Sequence, residues 1–181
     1  DGDDNVVSNN TIRHFSEGVS MVNTSMSNLV VGNAIRDNNP YGIHITSEGG
    51  DRNRIVSNVL EGAGYVGVFV ELGDHNVVTN NLVRGNSRAG IYFSYADSNR
   101  AETNVCKSNA VGIDVIIAEG SVVVRNYVDK NGAGIDVYGG HRNRGIGNRV
   151  DRSGAEGIIS VTVGPSSSNT ITRNHLSSNG T

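Results

Sequence analysis

The tetrapeptide Gly-Ile-Asp-Val occurs twice, at 112–115 and 134–137, and places Asp114 and Asp136 22 residues apart. Each aspartate stands between aliphatic residues, a pattern typical of an outward position on a strand. If the two copies stack as neighbouring strands, their carboxylates are about 5 Å apart. That separation suits the two carboxylates of a retaining glycosidase, or two carboxylates that share a cation. Repulsion between the two negative charges raises the pKa of one of the aspartates. The alternative is that both are ordinary polar residues on the outside of a repeated strand.

The same position, two residues after a glycine, carries other reactive or aromatic groups earlier in the chain: His44, Phe69 and Tyr92. Histidine and tyrosine exchange protons, and aromatic rings stack on sugars. We therefore take Asp114, Asp136, Tyr92 and His44 as candidate catalytic residues. The candidate substrate-binding residues beside them are Phe69, Glu71, Tyr138 and Arg142.

These glycine-led segments belong to a repeat that fills the chain. Its clearest mark is an asparagine followed, two residues later, by an aliphatic residue or a cysteine, at intervals of 22–26 residues. Another asparagine, or once Ser121, lies five residues before each copy. The copies begin at Asn10, Asn33, Asn58, Asn81, Asn104, Asn126, Asn148 and Asn174.

Short alternating segments separated by Asn or Gly predict short strands joined by tight turns. Three strands and three turns in about 22 residues make one coil of a parallel β-helix. We predict an all-β, single-stranded, right-handed parallel β-helix of about eight coils of 22–26 residues. Cys106 takes an inward aliphatic position, and the asparagines stack within the turns. At about 4.8 Å per coil, His44 lies about 14 Å from Asp114, so the two act on different bonds.

The composition fits one β-helix domain over residues 1–181. The net charge of −3 gives no basic excess, so nucleic acid is not an expected partner. No apolar run is long enough for membrane insertion, and the single cysteine, Cys106, excludes an internal disulfide. Both ends break off in mid-pattern without caps. We therefore expect a segment of a longer protein, or end-to-end packing against another molecule.

A second column of acids is predicted in the variable loop, two residues before the first asparagine of each coil. Such acids either share a divalent cation such as calcium or cap backbone groups of exposed turns, and the varying loop lengths favour capping. Apart from this calcium option, no cofactor is expected. The column consists of Asp3, Asp51, Asp74, Asp97 and Glu119, followed by His141.

The asparagine-rich coils resemble the parallel β-helix repeats of carbohydrate-binding and sugar-hydrolase proteins. They are most similar to those of mannuronan (alginate) C5-epimerases, some alginate lyases and the periplasmic β-helix proteins of copper-enzyme maturation. The resemblance covers the whole chain through structural positions. The epimerases carry a catalytic Asp two residues after Gly in a Y-G-F-D-P-H segment. Asp114 and Asp136 hold that place, His44 holds it in the segment YGIHI, and no copy has the following Pro-His.

The resemblance implies an extracellular or periplasmic protein that binds or acts on an acidic polysaccharide, with lyase or C5-epimerase-like chemistry. That chemistry needs a base, an acid and a group that neutralises the uronate carboxylate. The neutralising group is not evident, because Arg142 and Arg144 lie on the following turn. The alternative is a non-catalytic structural or adhesive solenoid segment of a larger secreted or surface protein.

Overall fold

The computed structural model describes residues 2–46, 49–154, 157–161 and 168–178. Within these ranges the chain forms 23 β-strands and no helix. It follows that the described residues contain no helix able to cross a membrane. The strands form three parallel sheets of eight, eight and seven strands, and each complete coil contributes one strand to each sheet. Seven complete coils are therefore followed by two strands of an eighth, which confirms the predicted parallel β-helix.

The strands of the first and second sheets are three residues long, and most of those in the third are six. The first sheet contains β1 (Val6–Ser8), β4 (Leu29–Val31), β7 (Arg54–Val56), β10 (Val77–Thr79), β13 (Arg100–Glu102), β16 (Val122–Val124), β19 (Arg144–Ile146) and β22 (Thr170–Thr172). The second contains β2 (Thr11–Arg13), β5 (Ala34–Arg36), β8 (Val59–Glu61), β11 (Leu82–Arg84), β14 (Val105–Lys107), β17 (Tyr127–Asp129), β20 (Arg149–Asp151) and β23 (His175–Ser177). The third contains β3 (Glu17–Val22), β6 (Tyr41–Thr46), β9 (Val66–Glu71), β12 (Ala89–Ser94), β15 (Val111–Ile116), β18 (Ala133–Tyr138) and β21 (Ile158–Val161).

The core is a narrow column filled by the inward residues of all three sheets. Ile43, Ile91 and Phe93 are fully buried there. Cys106 is also fully buried, and burial raises the pKa of its thiol to about 12. The prediction that this cysteine is a small core residue is therefore confirmed.

Ladders of buried asparagines tie each coil to its neighbours. Asn81 is representative: its Nδ2 donates to the carbonyl of Ile55 at 2.9 Å and to Oδ1 of Asn104 at 3.0 Å. Its Oδ1 accepts a hydrogen bond from the backbone amide of Asn58 at 2.8 Å. The side chain thus satisfies turn groups in the coils on both sides, as predicted for stacked amides.

Candidate functional site

The outer face of the third sheet aligns most of the predicted site residues in one column. His44 is paired in register with Phe69, and Phe69 with Tyr92. Tyr92 is paired with Asp114, and Asp114 with Asp136. Neighbouring members are therefore one strand spacing, about 4.8 Å, apart. We call this line of residues the outer column.

The first half of the outer column is a run of stacked rings. The ring centroids of His44 and Phe69 are 5.0 Å apart with planes 4° from parallel, and those of Phe69 and Tyr92 are 4.9 Å apart at 12°. Tyr41 lies against both His44, at 4.3 Å, and Phe69, at 5.3 Å. Phe69 is only 6% exposed. The run therefore exposes mainly Tyr41 and Tyr92 to solvent, because His44 and Phe69 are enclosed.

Asp114, in the second half of the column, is covered by a residue that the sequence analysis did not single out. Arg88 stands in the turn before β12 and places Nη2 2.5 Å from Oδ2 of Asp114. Its guanidinium also lies over the ring of Tyr92, 5.0 Å from the centroid. The Asp114 side chain is 1% exposed and that of Arg88 29%. A substrate can therefore reach Arg88 and Tyr92, but not Asp114.

A signal for Arg88 was present in the sequence. The residue two places before each repeat glycine is uncharged in every coil except the one that holds Arg88. An outward aspartate beside stacked rings needs a countercharge, because burying an unpaired carboxylate is costly. The register alone does not show that the arginine reaches one coil forward.

The burial of Asp114 changes its acidity. Burial raises the pKa of its carboxyl to about 6, since the opposing effect of the Arg88 charge is smaller and the nearby Asp136 adds to the rise. Asp136 itself is half-buried. The predicted repulsion between the two aspartates is thus present, and desolvation is the larger cause of the shift.

This shifted pKa predicts a pH-dependent stability. Because the folded state holds the Asp114 proton between about pH 4 and pH 6 while the unfolded state releases it, the free energy of unfolding falls by about 3 kcal/mol over that range. We expect Asp114→Asn to remove this fall and to be more stable than the unsubstituted protein at pH 7. Urea unfolding at a series of pH values measures both effects. Glu61→Gln, at a half-buried surface carboxylate, is the control, and an unchanged pH slope in Asp114→Asn contradicts the assignment.

His44 forms a separate centre. Its Nδ1 lies 3.0 Å from Oε1 of Glu17, and its Nε2 lies 3.8 Å from Oε2 of Glu71. Burial raises the pKa of Glu17, but hydrogen bonds with Ser20 and His44 outweigh it and leave the pKa lowered. Glu17 is therefore the carboxylate that orients the imidazole. Two strand spacings, about 10 Å, separate His44 from Tyr92, so the four predicted catalytic residues fall into two centres.

The remaining predicted substrate-binding residues lie in different places. Glu71 is beside His44. Tyr138 is 43% exposed at the carboxyl end of β18, two residues beyond Asp136. Arg142 lies in the following turn and pairs with Glu119. The structure thus brings Glu71 to the His44 centre and does not bring Arg142 to Tyr92.

The acids of the variable loop cap backbone amides. Asp51 accepts a hydrogen bond from the amide of Asp74, Asp74 from that of Asp97, and Asp97 from that of Glu119, at 2.7–2.8 Å. Asp3 accepts one from Met26 in the same way. In the described ranges no group of three or more His, Cys, Asp or Glu side chains is placed to hold a metal ion. The capping interpretation therefore accounts for Asp3, Asp51, Asp74 and Asp97, whereas Glu119 pairs with Arg142, and the calcium alternative has no site among the described residues.

Comparison with known proteins identifies a family and a set of similar folds. The sequence profile of a family described as periplasmic copper-binding protein (NosD) matches residues 1–181. No curated protein sequence matches significantly. The crystal structure of the periplasmic alginate epimerase AlgG has a TM-score of 0.79 at 20% identity, over 96% of this chain and 45% of AlgG. The A-module of mannuronan C-5 epimerase AlgE6 from Azotobacter vinelandii has a TM-score of 0.72 at 11% identity, over 96% of this chain and 58% of that one.

At these identities the likeness to the two epimerases shows the fold, and the chain spans less than two thirds of either protein. The family description raises the question of copper. Copper prefers His, Cys and Met ligands. Cys106 is enclosed in the core, and the described residues contain no group of three or more His, Cys, Asp or Glu side chains that could hold a metal ion. The residues that the structure describes therefore do not fit a copper centre.

Proposed function

The chain belongs to the family described as periplasmic copper-binding protein (NosD), and we propose that it is a carbohydrate-interacting β-helix that binds an acidic polysaccharide on its third sheet. The family is a periplasmic one, so the chain is periplasmic or extracellular, as the resemblance implied. The two solved structures that share its fold are epimerases named for alginate and mannuronan, and this supports an acidic polysaccharide as ligand.

The observation that carries the proposal is the pair formed by Arg88 and Tyr92. A guanidinium binds a carboxylate through two parallel hydrogen bonds, and a phenol hydroxyl exchanges hydrogen bonds with sugar hydroxyls. Phe69 and Arg88 cover the ring of Tyr92, so its edge and hydroxyl are the parts that a ligand meets. Here the guanidinium and the ring lie 5.0 Å apart on one outer face. A uronate sugar carries both the carboxylate and the hydroxyls that such a pair recognises.

Asp114 holds this pair in place and does not itself contact the ligand. A guanidinium has five N–H donors, and the ion pair with Asp114 engages only one side of it. The other donors remain for a carboxylate from solvent. Arg88 thereby supplies the neutralising group that the sequence analysis lacked, and Asp114 is a positioning residue.

For the reaction at this site we propose lyase or C5-epimerase-like chemistry. Neutralising the uronate carboxylate acidifies the proton on the adjacent carbon, and the phenol of Tyr92 is the proton-exchanging group nearest to Arg88. Asp136 lies one coil beyond Asp114 and therefore two coils, about 10 Å, from Tyr92, so it serves a neighbouring sugar unit. His44, oriented by Glu17, serves a different sugar unit, because it lies two coils from Tyr92.

A second candidate function is a non-catalytic structural or adhesive solenoid segment of a larger secreted or surface protein. The observations that favour it are the burial of Asp114 and the enclosure of Phe69, which forms a small second core with Val66 and Ala89 against which Tyr92 packs. In this alternative Arg88 and Asp114 only stabilise that core.

The decisive experiment incubates the protein with alginate, pectin and a neutral glucan. Ultraviolet absorbance of the unsaturated product reports lyase activity, and proton NMR reports epimerisation. Isothermal titration calorimetry measures binding without reaction. Binding of alginate or pectin supports the proposal. If no acidic glycan binds or reacts, the structural alternative replaces it.

Arg88→Gln is expected to weaken alginate binding about tenfold or more, because a charge-assisted hydrogen bond contributes about 1.5–3 kcal/mol. The double variant Arg88→Gln/Asp114→Asn keeps this loss while removing the unpaired buried carboxylate, so a folding defect cannot explain the result. Arg84→Gln, at an exposed arginine paired with Glu61 on the second sheet, is the matched control. Equal affinities in the double variant and the control contradict the role of Arg88.

A further inference from the structure

A cavity of about 460 Å³ lies where the strands β12, β15 and β18 end. It is open to solvent, and its volume falls in the range of small-molecule sites. Arg88 stands before the opposite end of β12, so a six-residue strand, about 20 Å, separates it from the cavity. We call this cavity the edge cavity. Its principal lining side chains are Asp97, Ile117, Glu119, Tyr138 and His141.

One wall of the edge cavity belongs to a column of turn residues with left-handed backbone angles. Leu72, Tyr95, Ile117 and Gly139 follow successive strands of the third sheet, with φ of 62°, 50°, 49° and 57°. Many turns of this solenoid contain a left-handed residue. Elsewhere in the described residues those positions hold glycine or a polar residue such as Asn, Ser or Arg. Only in this column are they large and apolar.

These apolar residues strain the backbone without adding to the core. A left-handed conformation is a genuine outlier for a β-branched residue and costs about 1–3 kcal/mol. Yet Leu72 is 41% exposed, Tyr95 56% and Ile117 44%. About half of each side chain stays in solvent, so packing among the described residues offsets only part of that cost, and the exposed apolar surface indicates an interaction.

The polar groups of the edge cavity have spare hydrogen-bonding capacity. Asp97 uses one carboxylate oxygen to accept from the amide of Glu119. Glu119 pairs with Arg142 on the rim. The Nδ1 atom of His141 is buried and has no hydrogen-bond partner among the described residues. Carboxylates and an imidazole beside apolar walls are groups that bind hydroxyls.

We propose that the edge cavity is a second glycan-binding site, which takes one neutral sugar ring against Ile117 and Tyr138. The C–H face of the ring packs on these two side chains, and its hydroxyls donate to Asp97 and Glu119. The two carboxylates outnumber the one rim cation, Arg142, so the site disfavours a uronate. This selectivity is opposite to that of Arg88, and the proposal does not depend on the function assigned to the third-sheet face.

The test titrates the protein with a neutral glucan hexasaccharide and, separately, with an alginate hexamer, by calorimetry and NMR. We expect the neutral sugar to bind, and Ile117→Gly and Tyr138→Ala each to weaken that binding about tenfold or more. Ile117→Gly keeps or raises the stability, because glycine relieves the left-handed strain, as Gly139 does in the next coil. Leu72→Gly is the matched control, since it relieves the same kind of strain outside the cavity.

Three results overturn the proposal. They are no binding of the neutral sugar to the unsubstituted protein, unchanged binding in both cavity variants, and equal weakening by Leu72→Gly. Arg88→Gln separates the two sites. It is expected to leave binding of the neutral sugar unchanged, and a loss there places the sugar on the third-sheet face instead of in the edge cavity.

Discussion

Replacing Asn104 by leucine is expected to lower the free energy of unfolding by about 4 kcal/mol, because it leaves two buried backbone groups unpaired at about 1–3 kcal/mol each. Oδ1 of Asn104 accepts from the backbone amide of Asn81 at 3.0 Å, and its Nδ2 donates to the carbonyl of Val78 at 2.8 Å. The asparagine is fully buried, so water cannot replace either bond. Leucine is close in size, and the loss therefore comes from hydrogen bonding and not from a cavity.

The matched control for Asn104 is Asn10→Leu, at the exposed start of the same ladder. Asn10 donates to the carbonyl of Ser8, which is near solvent, and to Oδ1 of Asn33. We expect Asn10→Leu to lower the free energy of unfolding by less than about 1 kcal/mol, because water can satisfy the groups that the asparagine leaves unpaired. Urea unfolding followed by far-UV circular dichroism measures both variants. Equal losses at the two positions contradict a ladder held by buried amide bonds.

The ladder could be predicted from the sequence because its determinants are local and repeated. An asparagine at the same place in eight coils fixes both the coil length and the position of the turn. The inward aliphatic positions, and with them the buried Cys106, follow from the alternation of a strand once the turns are known. Each coil gives independent evidence for the same turn position, so the prediction does not depend on the interpretation of any single coil.

The candidate site was only partly predictable, because its chemistry depends on side-chain reach between coils. The register that aligns His44 with Phe69, and Tyr92 with Asp114, follows from the repeat. The enclosure of Asp114 does not, since it requires Arg88 to extend from a turn into the next coil. An outward position on a sheet was expected to be exposed. Stacked rings and one arginine are enough to enclose such an outward position.

Gly112→Ala is expected to lower the free energy of unfolding by about 3 kcal/mol, which is at the upper end for overpacking a rigid core. A Cβ atom at Gly112 would lie 2.6 Å from the carbonyl oxygen of Gly134 and 2.4 Å from Cγ1 of Val128. The valine can turn away, but the carbonyl belongs to the backbone of the next coil. The coils would have to separate locally, and that would weaken the pairing on which the two Gly-Ile-Asp-Val copies depend.

The control for Gly112 is Gly85→Ser, where the nearest atom to an added Cβ is 3.8 Å away. Ser108 already takes the corresponding left-handed position in the next coil. Gly85→Ser is therefore expected to lower the free energy of unfolding by less than about 1 kcal/mol. Urea unfolding of both variants gives the comparison. A Gly112→Ala protein as stable as the control would mean that the coils can move apart at this glycine. In that case the register of Asp114 with Asp136 would not fix the distance between their carboxylates.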